Sequence, residues 1–423
     1  MTPPGVTPAA VTAEARSAAG VSVPAALQPL FSGSLAGELV RLRRALHQHP
    51  ELSLAETETA RRLVAALVSV AGLPPTDVRL IGTAVIGRVR GRRPDAPVVA
   101  LRGDIDALPI QESTGLPYAS EVAGVMHACG HDVHATWAVG AAALLVAAPA
   151  AGDVLIVLQP AEEIDRGAAA VLDAGVLDGV SAIFGGHVDR RFAVGQVVAD
   201  DGPLAASADT FTIELIGRGA HAARPQESAD PVVGAGALIG AVQSIVARRL
   251  HPAIPAVLTI ATVHAGTANN IIPDRAVLTG TIRTVDPATR QLVREELERI
   301  TSAIASAYRL EARVSVELGP PPLVNPHEPA EWARQAVRAV LGDRALAPLG
   351  IVNLAAEDFS RYLERMPGCF LRIGAREAGG QPIAAHSPHF TAAEESIFVG
   401  AAVLAEAARV SSQAYFDRHS QPK

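Results

Sequence analysis

The sequence predicts an α/β fold, in which a large mixed, mostly parallel sheet flanked by helices is interrupted by a smaller α+β unit. Three observations carry that expectation. Val-, Ile- and Leu-rich runs alternate with helical stretches through the first half of the chain and again near its end, as a sheet covered on both faces requires. From about Ala206 the order changes to β-α-β-β-α-β, a compact unit of its own. Finally, 423 residues with 49% hydrophobic and 19% charged side chains suit two globular domains of ordinary size.

The elements follow in order. A helix is expected from near Ser34 through GELVRLRRALHQHP, ended by Pro50, and a second over Thr57–Val70. AVIGRVRG and APVVALRGD read as strands, then come a helix over Ala135–Ala148, the strand DVLIVLQP, a helix from Ala168 and the strand SAIFGGHV. In the inserted unit FTIELIGRG is a strand and Pro231–Leu250 a helix. AVLTIATVHAG and AVLTGTIRT form a strand pair, followed by a helix over Arg290–Leu310 and the strand ARVSVELG. After the Pro-rich turn at 319–322, CFLRIGA is a strand and the last helix starts near Ala393. This divides the chain into a flexible N-terminal extension (1–30), a first catalytic segment (31–205), a lid (206–318) and a second catalytic segment (319–423).

A formal net charge of -7 leaves no basic footprint for nucleic acid. Two cysteines, Cys129 and Cys369, do not make a secreted disulfide framework. No uninterrupted apolar run has the ~18 residues of a membrane helix, and the N-terminus lacks a basic n-region. The expectation is a cytoplasmic protein with no nucleic-acid or membrane partner.

Polar clusters recur where strands are expected to end. They are GDID (Asp104, Asp106), MHACGHDVH (127–134), QPAEE (Glu162, Glu163), GGHVD (His187) and HSPHF (His386, His389). Ligands of open parallel sheets gather outside the carboxyl ends of the strands, so such clusters can converge on one crevice. Each alone has a bland reading: a hydrogen-bonded surface histidine, or glutamates favoured by a helix dipole. MHACGHDVH resists it, because histidines, a cysteine and an aspartate within apolar sequence are costly to bury without partners. Five clusters together point to a metal site.

RRALHQHPELS, LRGDIDALPI, MHACGHDVH, QPAEE, GRGAHAARPQESADP, GTANNIIPD, GTIRT, AAEDF and HSPHF resemble the signature segments of hippurate hydrolases and indole-acetyl-amino-acid hydrolases. These form the cysteine-containing branch of the dinuclear aminoacylase/carboxypeptidase family, which has a zinc-exopeptidase-like domain carrying an inserted lid. The resemblance runs from about Glu38 to about Ala408. It implies that Cys129, His131, Glu163, His187 and His386 hold two divalent ions, Zn²⁺ or Mn²⁺, with Co²⁺ or Ni²⁺ as alternatives. Cys129 would bridge, one ion seeing Glu163 and His386, the other His131 and His187.

By the same resemblance Glu162 is the general base, and His221 steadies the oxyanion, often from a neighbouring subunit. Asn269 and Arg283 contact the substrate, and a homodimer forms through the lid. Asp104 and Asp106 would orient ligating imidazoles, while a strand-end turn is an equal reading for Asp104. His127, His134 and His389 would be supporting or structural, and Cys369 core. The implied activity is hydrolysis of N-acyl-amino acids to a carboxylic acid and a free amino acid. The rivals are an exopeptidase using the same site and a non-catalytic metal-bound scaffold. GGHVDRRFAVG departs from the family pattern and puts two arginines and an aspartate near the expected site; IDRGAAA lacks the usual glycine run.

Overall fold

The computed structural model describes residues 21–420. Ten of those positions fall in the stretch expected to be a flexible extension, and there the expectation fails. Val21, Val23 and Leu27 are buried in the main core, against the helices near the C-terminus. The Ala/Pro-rich composition hid three well-placed apolar side chains. Positions 1–20 lie outside the described residues.

From the N-terminal side, α1 (Gly33–Gln48) and α2 (Thr57–Ser69) lead into β1 (Val78–Ile81), β2 (Ala84–Val89) and β3 (Val98–Asp104). Next come α3 (His131–Ala147), β4 (Val154–Gln159), α4 (Gly167–Asp173) and β5 (Val180–Ala193). The inserted unit holds β6 (Asp209–Ile216), α5 (Pro231–Arg249), β7 (Ala256–Ala265), β8 (Arg275–Thr284), α6 (Pro287–Ala307) and β9 (Glu311–Glu317). The chain returns through α7 (His327–Leu341), β10 (Gly368–Arg376) and α8 (Glu395–Ser420).

The large sheet has the order β1-β2-β4-β3-β5-β10, edged by the short strand Val197–Val198. It is mixed, with parallel pairing in the centre, β4–β3–β5–β10, and antiparallel pairing on both flanks. Its strands alternate between two cores. Val99 and Leu101 join α1, α3 and α8 on one face, while Ala100 joins Ala168, Val171 and Tyr362 on the other. α3 is buried all round, hence its lack of an amphipathic stripe.

The inserted unit is an antiparallel sheet, β7-β8-β6-β9, with α5 and α6 packed on it through Leu238, Val242, Val293 and Leu297. Both helices start with an Asp cap, Asp230 and Asp286, followed by Pro at the first helical position. By length and composition α5 could cross a membrane, and it is one-third buried. Its inner side chains Leu238, Val242 and Ile245 serve the lid core.

Among the boundaries that differ from expectation, two matter for the site. α3 begins at His131, not Ala135, because Gly130 turns into the left-handed region (φ 90°) and its carbonyl accepts from Val133 and His134. β5 does not end after His187 but runs on to Ala193, held by its parallel partner β10 in the register His187↔Arg372.

Leu27 has no exposed surface. Leu27→Ala is therefore expected to cost about 2–4 kcal/mol, read as a lower urea midpoint; an unchanged midpoint would restore the picture of a loose extension.

Candidate metal centre

The five polar clusters do converge, though not all from strand ends. Asp104 closes β3 and Gln159 closes β4, three residues before Glu162. His131 instead opens α3, His187 sits within β5, and His386 lies in the loop after β10. Gly130 makes the Cys129–His131 turn feasible: a Cβ there would meet the Val188 side chain at 2.5 Å. Ala161 and His386 also have positive φ, 52° and 65°. Such strain in residues other than glycine is held only where surrounding structure enforces it, commonly at functional sites.

Cys129 Sγ lies 3.1 Å from His187 Nε2, and His386 Nε2 lies 3.3 Å from Glu163 Oε2. His131 Nε2 is 3.8 Å from Glu163 Oε1 and 3.9 Å from Glu162 Oε2. Two donor groups result, Cys129–His131–His187 and Cys129–Glu163–His386, each with all its donor atoms within 4.8 Å of one another. They share the thiol.

The donors fit divalent cations on two grounds. First, His131 Nε2 and Glu163 Oε1 are buried with no hydrogen-bond partner, a costly state for either atom. Second, the imidazoles present the correct nitrogen. His187 Nδ1 donates to the Val188 carbonyl at 2.6 Å and His131 Nδ1 donates to the Asp106 carbonyl at 3.0 Å. A carbonyl only accepts, so Nδ1 carries a proton and each Nε2 is left to face the gap.

The supporting contacts are specific. The Asp106 carboxylate takes the Ser53 hydroxyl at 2.7 Å, the Glu163 backbone N–H at 3.0 Å and His131 Nδ1 at 3.1 Å. It thus positions two of the five donors. Asp104 does not orient a candidate ligand directly. It bonds His134 Nδ1 at 2.6 Å and Arg102 at 2.5 Å, and His134 Nε2 accepts from Val188 N–H at 2.9 Å. Its influence reaches His187 at one remove, through the Val188 peptide.

Burial prevails over charge at Glu162, Cys129 and His187, whereas at His131 the Asp104 and Asp106 carboxylates overcome it and hold the imidazole's pKa well above the ordinary value. Burial and the nearby carboxylates of Glu357, Asp358 and Glu163 hold the Glu162 acid well above the usual range. Burial and Glu163 likewise push the Cys129 thiol well up, so a thiolate there needs a cation. Burial, with His134 and Arg372 close by, keeps His187 neutral by pushing its pKa well below the ordinary value.

A cleft of about 910 Å³ opens over this group, with Cys129, Glu162, Glu163, His187 and His386 on its floor. Arg283, on β8, lines it from the lid with Thr210 and Glu317. His221 and Asn269 do not line it. They are exposed neighbours on the lid, where Ala220–His221 pairs with Ile271–Ile272. The HVDRRF arginines turn elsewhere too. Buried Arg190 holds Glu377 at 2.6 Å, while Arg191 holds Asp189 at 2.7 Å and the Ile351 carbonyl at 3.1 Å. His389 Nδ1 binds the Ser113 carbonyl, and burial pushes His127 down to about 4. Cys369 is buried in the core of β10.

Glu357 and Asp358 were not assigned a role from sequence, although AAEDF supplied the signal. Both are buried beside Glu162 and bound to Arg102, at 3.0 and 2.8 Å. Asp358 N–H also donates to Glu162 Oε1 at 3.4 Å.

Because Asp106 holds both His131 and the Glu163 backbone, Asp106→Ala should weaken divalent-ion affinity by about 10–100-fold, measured by chelator competition on purified protein. Unaltered affinity would show that the two donors are held by other means.

Residues 100–410 match peptidase family M20/M25/M40. N-acetylcysteine deacetylase of Bacillus subtilis (strain 168) is 42% identical over 372 residues, covering 88% of this chain and 96% of the relative. IAA-amino acid hydrolase ILR1-like 4 of Arabidopsis thaliana is 37% identical, covering 88% and 84%. The crystal structure of the Bacillus subtilis YXEP protein, a dinuclear metal-binding peptidase of the M20 family, superposes with a TM-score of 0.80 at 36% identity, covering 90% of this chain and 99% of that one. The chain belongs to the M20/M25/M40 peptidase family and is a metal-dependent hydrolase of amide bonds.

Proposed function

We propose that the chain hydrolyses small N-acyl-amino acids to a carboxylic acid and a free amino acid. Cys129, His131 and His187 would hold one divalent ion, and Cys129, Glu163 and His386 a second. One observation carries the reading: two three-donor groups share a thiol, and Glu162 stands at their rim within a cleft sized for a small molecule. When bound, the ions supply Lewis-acid polarisation of the acyl carbonyl and lower the pKa of the attacking water. Thiolate and imidazole donors favour Zn²⁺; Mn²⁺, Co²⁺ and Ni²⁺ are the alternatives to load.

Glu162 then takes the proton from the water and delivers it to the leaving nitrogen. Arg283 lines the cleft from the lid, where a guanidinium fork matches the α-carboxylate of the amino acid. His221 and Asn269 would complete a neighbouring subunit's cleft. Supporting a homodimer through the lid, Val232, Val233 and Ile239 on α5 and Val263 on the edge strand β7 are exposed large apolar side chains. Two free, buried cysteines suit a reducing compartment, and the cytoplasm is the location we assign.

Glu162→Gln should keep both ions but lose about 10²–10⁴-fold in kcat, followed by metal analysis together with turnover of N-acetyl- and N-benzoyl-amino acids. Retained turnover would reject the assigned base. Dipeptides belong in the same panel, because the family also contains peptidases; faster cleavage of dipeptides would move the reading to an exopeptidase.

The shared-site arrangement has its own test. Glu162→Gln and His221→Ala proteins, each impaired alone, should regain activity when mixed and allowed to exchange subunits, since one cleft then carries both intact groups. No recovery in a sample shown by sedimentation to contain mixed dimers would place His221 outside the reaction in trans.

A further inference from the structure

Four arginines are buried among the described residues, and three are neutralised. Arg43 meets Asp132 at 2.8 Å, Arg102 meets Asp104 at 2.5 Å and Asp358 at 2.8 Å, and Arg190 meets Glu377 at 2.6 Å. Arg372 is the exception. Only 6% exposed, it stands on β10 beside His187 and lines the cleft, yet its guanidinium makes no hydrogen bond or ion pair among the described residues. Its guanidinium carbon lies 5.5 Å from the centre of the Phe370 ring.

The two carboxylates whose fields reach it are already engaged: Glu357 with Arg102 at 3.0 Å, and Asp189 with Arg191 at 2.7 Å. Burial pulls the Arg372 pKa below the ordinary arginine value despite both of them. A buried cation without a counter-ion is destabilising, and replacing it with an apolar side chain of similar volume is expected to cost nothing or to stabilise. Arg372 is among the residues lining the cleft in which substrate must lie. A planar guanidinium matches a carboxylate through two parallel N–H···O bonds.

We propose that Arg372 is a specificity-determining residue that receives a second carboxylate of the substrate from the cleft floor. The α-carboxylate is left to Arg283 on the lid side. The substrate class is then a dianionic N-acyl-amino acid. Its second acid group belongs either to a dicarboxylic acyl chain or to an acidic amino-acid side chain. The inference rests on the amidohydrolase reading and narrows it.

The test compares matched substrates on metal-loaded enzyme: N-acetyl-alanine against N-succinyl-alanine, and N-acetyl-alanine against N-acetyl-glutamate. The wild-type chain should favour one dianionic partner in kcat/KM. Arg372→Met should reduce that dianion-to-monoanion ratio by about tenfold or more, mainly through KM, because it removes one charged hydrogen-bond pair. Arg372→Lys, which keeps charge without the fork, should fall between. The substrate that responds identifies which end carries the acid.

Melting temperature separates recognition from scaffolding. Arg372→Met should melt no lower than wild type, whereas lower melting with equal losses on every substrate would mean a structural role and overturn the proposal. If wild-type enzyme cleaves no N-acyl-amino acid, the amidohydrolase reading falls first, and Arg372 is judged by calorimetry on metal-loaded Glu162→Gln protein. There succinate should bind more tightly than butyrate, and the added Arg372→Met change should abolish the difference. Equal binding of the two acids would end the proposal independently of turnover.

Discussion

Arg102 is fully buried at the end of β3, and its guanidinium joins three parts of the chain. It binds Asp104 on its own strand, Gln159 at the end of β4 (2.9 Å), and Glu357 and Asp358 from a loop more than 250 positions away. Asp358 also accepts from the Gln159 side chain and from Ala168 N–H, and Tyr362 donates to Gln159. A buried charge is tolerated when paired and fully hydrogen-bonded, and breaking such a set commonly costs about 3–5 kcal/mol. This hub therefore fixes the carboxyl ends of β3 and β4 against the returning segment. The geometry of Asp104, Asp106, Glu162 and Glu163 follows from it.

The same hub leaves a surplus of acid. Glu162, Glu163, Glu357, Asp358, Asp104 and Asp106 crowd one end of the sheet, and Arg102 answers only part of that charge. Asp358 is pushed up to about 7, chiefly by burial with Arg102 opposing, and burial with Glu357, Asp358 and Glu163 close by holds Glu162 well above the usual range. A low-dielectric site with this excess attracts cations. The unpartnered Nε2 of His131 and Oε1 of Glu163 mark where the lone pairs converge. Excess acid and orphaned lone pairs are two independent signs of one requirement, and divalent ions answer both.

Much of this was legible in sequence because the relevant signals are local. Cys129-Gly130-His131 is a short turn of ligand types, and Glu162-Glu163 follows a strand whose end can be read from its apolar run. The strand and helix order of the lid could be read from alternation, although the expected start of α6 at Arg290 misses the Asp286 cap and Pro287 three residues earlier. What failed had long-range causes. Val21, Val23 and Leu27 sit in a composition typical of a loose tail, and only helices hundreds of positions later bury them. The extension of β5 past His187 depends on its pairing with β10. Arg190 and Arg191 looked like cleft residues by proximity in sequence, but strand alternation and partners at Glu377 and Ile351 turn them away. Arg372, within an ordinary apolar strand pattern, gave no sign until its lack of a counter-ion could be seen.

The division of labour between the two units follows from how each is built. The catalytic floor rests on a sheet buried on both faces, with His131 placed by the first turn of α3, Glu163 just after β4, His187 by β5 and His386 by the loop after β10. The lid is a sheet covered on one side only, its helices α5 and α6 leaving the strand face toward the cleft free to present Thr210 and Arg283. Chemistry that must be held to fractions of an ångström thus belongs to the doubly covered sheet. Recognition is shared with the inserted unit, which presents Arg283 to the cleft from a separate sheet. Arg372 stands at the boundary of these roles, a recognition group mounted on the rigid floor beside His187. A carboxylate seated there is placed relative to the reacting bond by the sheet itself, so it orients the amide before the lid contributes anything.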